Sequence, residues 1–266
     1  FYEREYRYER FEEFIRKYYK KTDRCYTAEL METEDPGFDC YICASDVIWK
    51  NNHGYGFDRG FFLACKQLEG KKKIAYAASR GPREYTADRE REFFDYVSDI
   101  DYVSVREKSL LDYIRQNSKI PVTLVLDPVF FHEKEFYFEM AEPPKQKGYV
   151  LIYIVMERAR ALVKTAVGFA ERHGLDVIEL SEELVDQNIP KGTHHDVVYG
   201  IGIEEWLGYM QNASYIFTNS FHACCFSVIF GRQFFAGART GDKIDSILDL
   251  FGLSWRRVLK VCPDEA

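Results

Sequence analysis

One histidine stands between a polar triplet and an apolar run in FTNSFHACCFSVIFG, residues 217–231. A lone histidine in apolar surroundings is ordinarily a core residue with a satisfied hydrogen bond. Here the strand-like YIFT comes first, then Asn219 and Ser220, so His222 is placed in the first turn of the helix that follows. Free backbone N–H groups and the helix dipole favour an anion at that point. An imidazole there can exchange a proton with a substrate hydroxyl while the amides hold a phosphate or carboxylate.

Other apolar runs also end in polar residues. Ser45, Asp46 and Trp49 follow CYICA, Ser79 and Arg80 follow IAYAA, and Arg106 and Glu107 follow YVSV. Asp127 and Pro128 follow TLVL, and Arg239 follows FFAGA. Ligands of open α/β sheets bind beyond the carboxyl ends of strands, so these residues are expected to line a cleft. Each also has a simpler role open to it. Asp46 can cap its turn, Asp127 can form one before Pro128, and Arg106 and Glu107 can make a strand-end ion pair. Trp49 and Trp206 can be packing. Gly200 and Gly202 form a GxG without dinucleotide-fingerprint spacing, and no Walker loop occurs.

The elements that position these residues come from hydrophobic periodicity. RFEEFIRKYYKK reads as an amphipathic helix. Strand-length runs at 40–44, 74–79, 102–105 and 122–127 then alternate with helical segments such as REKSLLDYIRQN. EMAEPPKQKG, residues 139–148, reads as a linker because adjacent prolines and charges resist helix and sheet alike. A second series follows, with strands in YVLIYIV, DVIEL, YIFTN and QFFAG and helices in ARALVKTAVGFAERHG, IEEWLGYMQNA, FHACCFSVIFG and KIDSILDLFGL. Such alternation predicts right-handed β/α units on parallel sheets. The fold class is α/β, with Rossmann-like domains at 1–140 and 147–266.

Composition narrows the function. The 266 residues are 46% hydrophobic and 30% charged, ordinary for a globular chain. A net charge of -7 opposes general nucleic-acid binding, which needs a concentrated basic face. No apolar run reaches membrane-spanning length and no leader opens the chain, so a cytoplasmic location is expected. The seven cysteines do not suggest a disulfide framework. Cys40 and Cys43 form a CxxC inside a strand with no second ligand pair, so no metal site is expected. Cys224 and Cys225 read as small core residues. The first residue is Phe1 rather than Met, as in a fragment or a trimmed chain.

FDCYICASDVIW, KKIAYAASRG, IDYVSVREKS, VLDPVFF, IEEWLGYMQNASYIFTNSFHACCFSVIFGRQFF and KIDSILDLFGLSWR occur in that order. Together they resemble the polysaccharide pyruvyl transferase family over nearly the whole chain. The resemblance implies a GT-B-like fold, two Rossmann-like domains facing a cleft. It implies transfer of a pyruvyl group from phosphoenolpyruvate to two hydroxyls of a sugar, giving a ketal on a polysaccharide or cell-surface glycan precursor. No cofactor is implied beyond the donor substrate, and the acceptor can be a lipid-linked glycan met at the membrane surface. His222 matches the family's motif histidine and is expected to do acid/base work. Arg106 lies in a matching segment and is expected to hold an anion; Arg80, Arg239, Ser45, Asp46, Asn219 and Ser220 complete the expected substrate-binding set. Where family members often carry Asp-Arg-Leu-His-Gly, this chain reads Asn219, Ser220, Phe221, His222 and Ala223, so Ser220 replaces the arginine. Ala44 stands where the related motif commonly has glycine. The family usually begins with a strand and an Asn/Gly-rich loop ahead of these segments, so the N-terminal domain is expected to be incomplete.

Two other functions fit the same residues. One is glycosyl transfer from a nucleotide sugar on the same architecture. The other is a catalytically silent carbohydrate-binding or scaffold protein. Fold analogy alone does not separate them.

Overall fold

Strand and helix alternate through most of the chain, as the hydrophobic pattern predicts. The computed structural model describes residues 2–52, 54–81, 85–156, 159–181, 195–237 and 241–258. Two compact units emerge. The N-terminal unit is Thr22–Val129 with Thr240–Ser246, and the C-terminal unit is Phe1–Lys21 with Phe130–Arg239 and Ile247–Ala266. Neither unit is contiguous in sequence, unlike the chain-order domains 1–140 and 147–266.

The N-terminal unit is built on four parallel strands, β1 (Cys40–Ala44), β2 (Lys72–Ala78), β3 (Tyr102–Val105) and β4 (Val122–Leu124), in the order β1-β2-β3-β4. Each connection steps in the same direction, and right-handed crossovers that never reverse lay their helices on one face. Those helices are α2 (Ala87–Ser98) and α3 (Lys108–Asn117). Phe93, Val97, Leu110 and Ile114 from them pack on Ala75, Val103, Val105 and Val122. Trp49 joins this core fully buried, stacked on Phe62 with centroids 5.4 Å apart, and its indole N–H donates to the Phe61 carbonyl at 3.1 Å. Trp49 is therefore packing. Ile42 and Tyr102, paired through Ile74 on the other face, are 59% and 60% exposed. Cys40 is exposed and Cys43 buried, as alternation along β1 requires.

The C-terminal unit holds five parallel strands: β5 (Val150–Tyr153), β6 (Val177–Ser181), β7 (His195–Tyr199), β8 (Tyr215–Thr218) and β9 (Gln233–Ala236). Their order is β7-β6-β5-β8-β9, so the chain works outward from β5 to β7, then returns to the other side of β5. Val150, Leu151 and Ile152 on central β5 are fully buried, which is why that run is apolar without alternation. Helix α5 (Arg160–His173) lays Leu162, Ala166, Val167 and Ala170 on the sheet and ends at Gly174, whose φ of 63° supplies the left-handed stop. Burying a side chain such as Leu162 contributes about 1.5–3 kcal/mol.

Helix α1 (Tyr2–Tyr18) is fixed to α6 (Ile203–Asn212) by charge. Lys17 Nζ donates to Glu204 at 2.6 Å, the Tyr18 hydroxyl donates to the same oxygen at 3.1 Å, and Arg10 reaches Glu205. The proline-rich stretch, expected to be a solvated linker, packs on α6 as well. The Glu142 N–H donates to the Glu204 carbonyl at 2.8 Å, and a Cβ on Gly208 would lie 2.0 Å from the Glu142 carbonyl oxygen. Glycine is required there by the close approach. The short helix α4 (Lys134–Met140) precedes this stretch, and α7 (Phe221–Ile229) and α8 (Lys243–Leu250) complete the elements named here. No helix among the described residues is long and apolar enough to cross a membrane.

Candidate active site

In the C-terminal sheet the strand order reverses between β5 and β8, the position at which open α/β sheets bind ligands beyond their carboxyl ends. Helix α7 starts there. Its first turn follows from the sequence step by step. Thr218 ends β8 and donates its hydroxyl to the Tyr153 carbonyl at 2.6 Å, while the Ser220 N–H donates back to the Thr218 oxygen at 3.0 Å. Asn219 accepts from the Val155 N–H at 2.8 Å and donates to the Val155 carbonyl at 3.3 Å. Ser220 is the N-cap, and its hydroxyl accepts from the Ala223 N–H at 3.4 Å.

These bonds engage Asn219 and Ser220, both buried, in holding the loop. His222, by contrast, is half-buried on the first turn, with Phe221 edge-on to its ring at 5.3 Å. Cys224, Cys225 and Phe226 behind it are buried, so the apolar run anchors the turn that carries the histidine. The dipole of α7 favours negative charge at this end.

In the N-terminal unit the strand ends meet around Arg106. Its side chain is 2% exposed. One terminal nitrogen donates to Asp127 at 2.6 Å and to the Ser45 hydroxyl at 3.1 Å, the other to Asp46 at 3.2 Å, and Nε to Glu107 at 3.4 Å. Ser45 also donates to Asp127 at 2.5 Å. Asp127 does both jobs open to it: its other oxygen accepts from the Val129 N–H at 3.2 Å and forms the turn before Pro128. Burial works to lower the Arg106 pKa, but the charges of Glu107, Asp127 and Asp46 outweigh it and hold the guanidinium above its usual value. The strand-end rule named Ser45, Asp46, Arg106, Glu107 and Asp127 singly, and the Arg106–Glu107 pair, but not the network that joins them, because Asp46 and Asp127 lie 60 and 21 residues from Arg106.

Backbone strain marks the same place. Ser45 and Asp46 are successive left-handed residues, with φ of 56° and 52°. Ala77 is a third, at 51°, where β2 bulges between Ala75 and Ala78. The Ser104 hydroxyl fills the gap in the ladder, accepting from the Ala77 N–H at 3.2 Å and donating to the Ala75 carbonyl at 3.0 Å. The Ser79 N–H then donates to the Asp46 carbonyl at 3.1 Å, and the Trp49 N–H to the Ser79 carbonyl at 3.0 Å, which holds the strained turn. Left-handed non-glycine residues cost about 1–3 kcal/mol each and gather at functional sites.

Arg80 is half-buried over two aromatic rings, 4.4 Å from the Tyr113 centroid and 5.5 Å from that of Tyr85. Glu107, which follows YVSV beside Arg106, has a side chain only 4% exposed and makes the strand-end ion pair with Arg106 Nε at 3.4 Å. Arg239 lies outside the described residues. Ser45, Asp46 and Arg106 thus converge in one unit, whereas Asn219 and Ser220 lead into the first turn of α7, which carries His222, in the other.

A family model for polysaccharide pyruvyl transferase matches residues 1–238. No curated protein and no solved structure matches the chain. With the family match spanning both sheets and their strand-end loops, the chain belongs to the polysaccharide pyruvyl transferase family, a family of transferases.

Proposed function

We propose that the chain transfers a pyruvyl group from phosphoenolpyruvate to two hydroxyls of one sugar in a polysaccharide or cell-surface glycan precursor, on a GT-B-like fold. The observation that carries this reading is His222, presented on the first turn of α7 at the reversal of strand order, in a chain of this family. The chemistry asks for such a group. A sugar oxygen forms a bond to the enol carbon while the methylene carbon gains a proton. The C–O bond to phosphate then breaks, and a second hydroxyl attacks the same carbon and loses its proton, closing the ketal. His222 takes and returns protons in these steps. The Arg106 guanidinium is the partner for the donor's negative groups.

Thermal shift tests the reading, because a ligand that binds only the folded state raises the transition by mass action. Phosphoenolpyruvate is expected to stabilise the chain beyond inorganic phosphate, and Arg106→Lys to remove the difference. Stabilisation by uridine diphosphate sugars alone would replace the reading with glycosyl transfer.

A further inference from the structure

Phosphoenolpyruvate carries two anionic groups, a carboxylate and a phosphate, and the Arg106 guanidinium is already shared among protein oxygens. Its Nε and both terminal nitrogens donate to Glu107, Asp127, Ser45 and Asp46, and its side chain is 2% exposed. Arg106 thus brings a shielded positive charge rather than exposed donors. A second guanidinium stands beside this network in different surroundings. Arg80 follows Ser79, whose backbone is tied to Asp46 and Trp49 and whose side chain hydrogen-bonds Glu107. Tyr85 lies within electrostatic reach of both Arg80 and Glu107, which puts Arg80 at the edge of the same strand-end cluster.

Two fixed rings hold the Arg80 side chain. Its guanidinium carbon is 4.4 Å from the Tyr113 centroid and 5.5 Å from that of Tyr85. The Tyr113 hydroxyl donates to Glu90 at 2.5 Å, and its ring stacks on Phe94 at 5.5 Å. Tyr85 donates to the Trp49 carbonyl at 2.7 Å and meets Phe57 edge-on at 5.1 Å. Ring faces attract the cation, but they give its N–H groups no oxygen acceptor. Among the described residues no carboxylate or carbonyl accepts from Arg80, which is only half-buried. A guanidinium held in place with its donors within reach of solvent is preorganised for a carboxylate or phosphate, which its planar fork grips with two parallel hydrogen bonds.

We propose that Arg80 is a specificity-determining residue of the donor site: it binds the second anionic group of phosphoenolpyruvate, and Tyr113 and Tyr85 are positioning residues that hold it there. The inference rests on the reading of phosphoenolpyruvate as the donor. Selectivity for a ligand with two anionic groups over one with a single group then follows from two guanidinium groups at one set of strand ends.

The test is calorimetric titration of the full chain with phosphoenolpyruvate at fixed salt, alongside melting curves without ligand. Arg80→Met keeps an unbranched stem over the rings without the charge, and Arg80→Gln keeps hydrogen-bonding groups without it. Both are expected to bind about 10- to 100-fold more weakly, the range for losing hydrogen bonds to a charged group. Tyr113→Leu should weaken binding roughly 3- to 10-fold, and Tyr113→Phe, which retains the ring, should restore it. Wild-type affinity in either folded Arg80 variant, with binding still weakened by Arg106→Lys, would make Arg80 a packing residue and leave the donor reading standing. Equal effects of Leu and Phe at position 113 would overturn the positioning role. Absence of phosphoenolpyruvate binding by the wild type, or binding indifferent to both arginines, would overturn the donor reading as well.

Discussion

Asn219 and Val155 are joined by two hydrogen bonds across the point where the C-terminal sheet reverses its strand order. The amide side chain substitutes for a ladder rung just past the paired ends of β5 and β8, where Tyr153 and Thr218 are the last register partners. The loop that presents His222 is thereby fixed to the centre of the sheet. Replacing Asn219 with Leu leaves the Val155 N–H and carbonyl without these partners, at an expected cost of about 1–3 kcal/mol. Urea denaturation followed at the C-terminal unit measures it.

Ser220 separates capping from ligand binding. As the N-cap of α7, its replacement by Ala is expected to cost about 1 kcal/mol, while Ser220→Asp should retain most of the stability. Ser220→Arg puts the family's more usual residue at this position and should destabilise about as much as Ala. Melting curves of the three variants decide whether the hydroxyl holds the helix.

The ion pairs of Arg106 should differ sharply in value. Asp127 is 2% exposed, so Asp127→Ala leaves a buried guanidinium short of its shortest partner and is expected to cost about 3–5 kcal/mol. Asp46 is 65% exposed, and truncating it should cost less than about 1 kcal/mol. Equilibrium unfolding of both variants checks the contrast; equal losses would deny Asp127 its special place.

Attachment of α1 should weaken in acid. Burial opposes ionisation of Glu204, but hydrogen bonds from Lys17 and Tyr18 outweigh it and hold the carboxyl below the usual glutamate range. A lowered folded pKa contributes stability that is present above the unfolded value and lost as pH falls through the folded one. The wild type should therefore melt above Lys17→Met at neutral pH, and the gap should close in acid below the ordinary glutamate pKa of about 4.5. A gap that persisted there would assign the effect to packing of the lysine stem.

Much of the fold was legible because buried parallel strands are short apolar runs: CYICA and YVSV coincide with β1 and β3. Strand β7, HDVVY, was missed because its three apolar residues make too short a run to read as a strand, and at the sheet edge none of them is buried. Helix α4 was missed because its seven residues span only two turns, too few to establish a helical period. The stretch at 139–148 has linker composition, yet Gly208 lets it lie against α6. The strand-end rule picked out Arg106, Asp46 and His222, which lie just past β3, β1 and β8. It did not show that Asn219 bonds the Val155 backbone 64 residues away, or that Glu107 is enclosed, since partners distant in sequence leave no local pattern.

The most direct measurement is phosphate release from phosphoenolpyruvate with a panel of glycans bearing paired free hydroxyls, by wild type and His222→Ala, with products analysed by mass spectrometry. Glycan-dependent release and a product heavier by one pyruvate less one water are expected. His222→Ala should lose about 10²–10⁴-fold, the range for removing a proton-transfer group, with an unchanged melting temperature. Undiminished turnover in His222→Ala, or a variant that loses activity only because it melts, would contradict it.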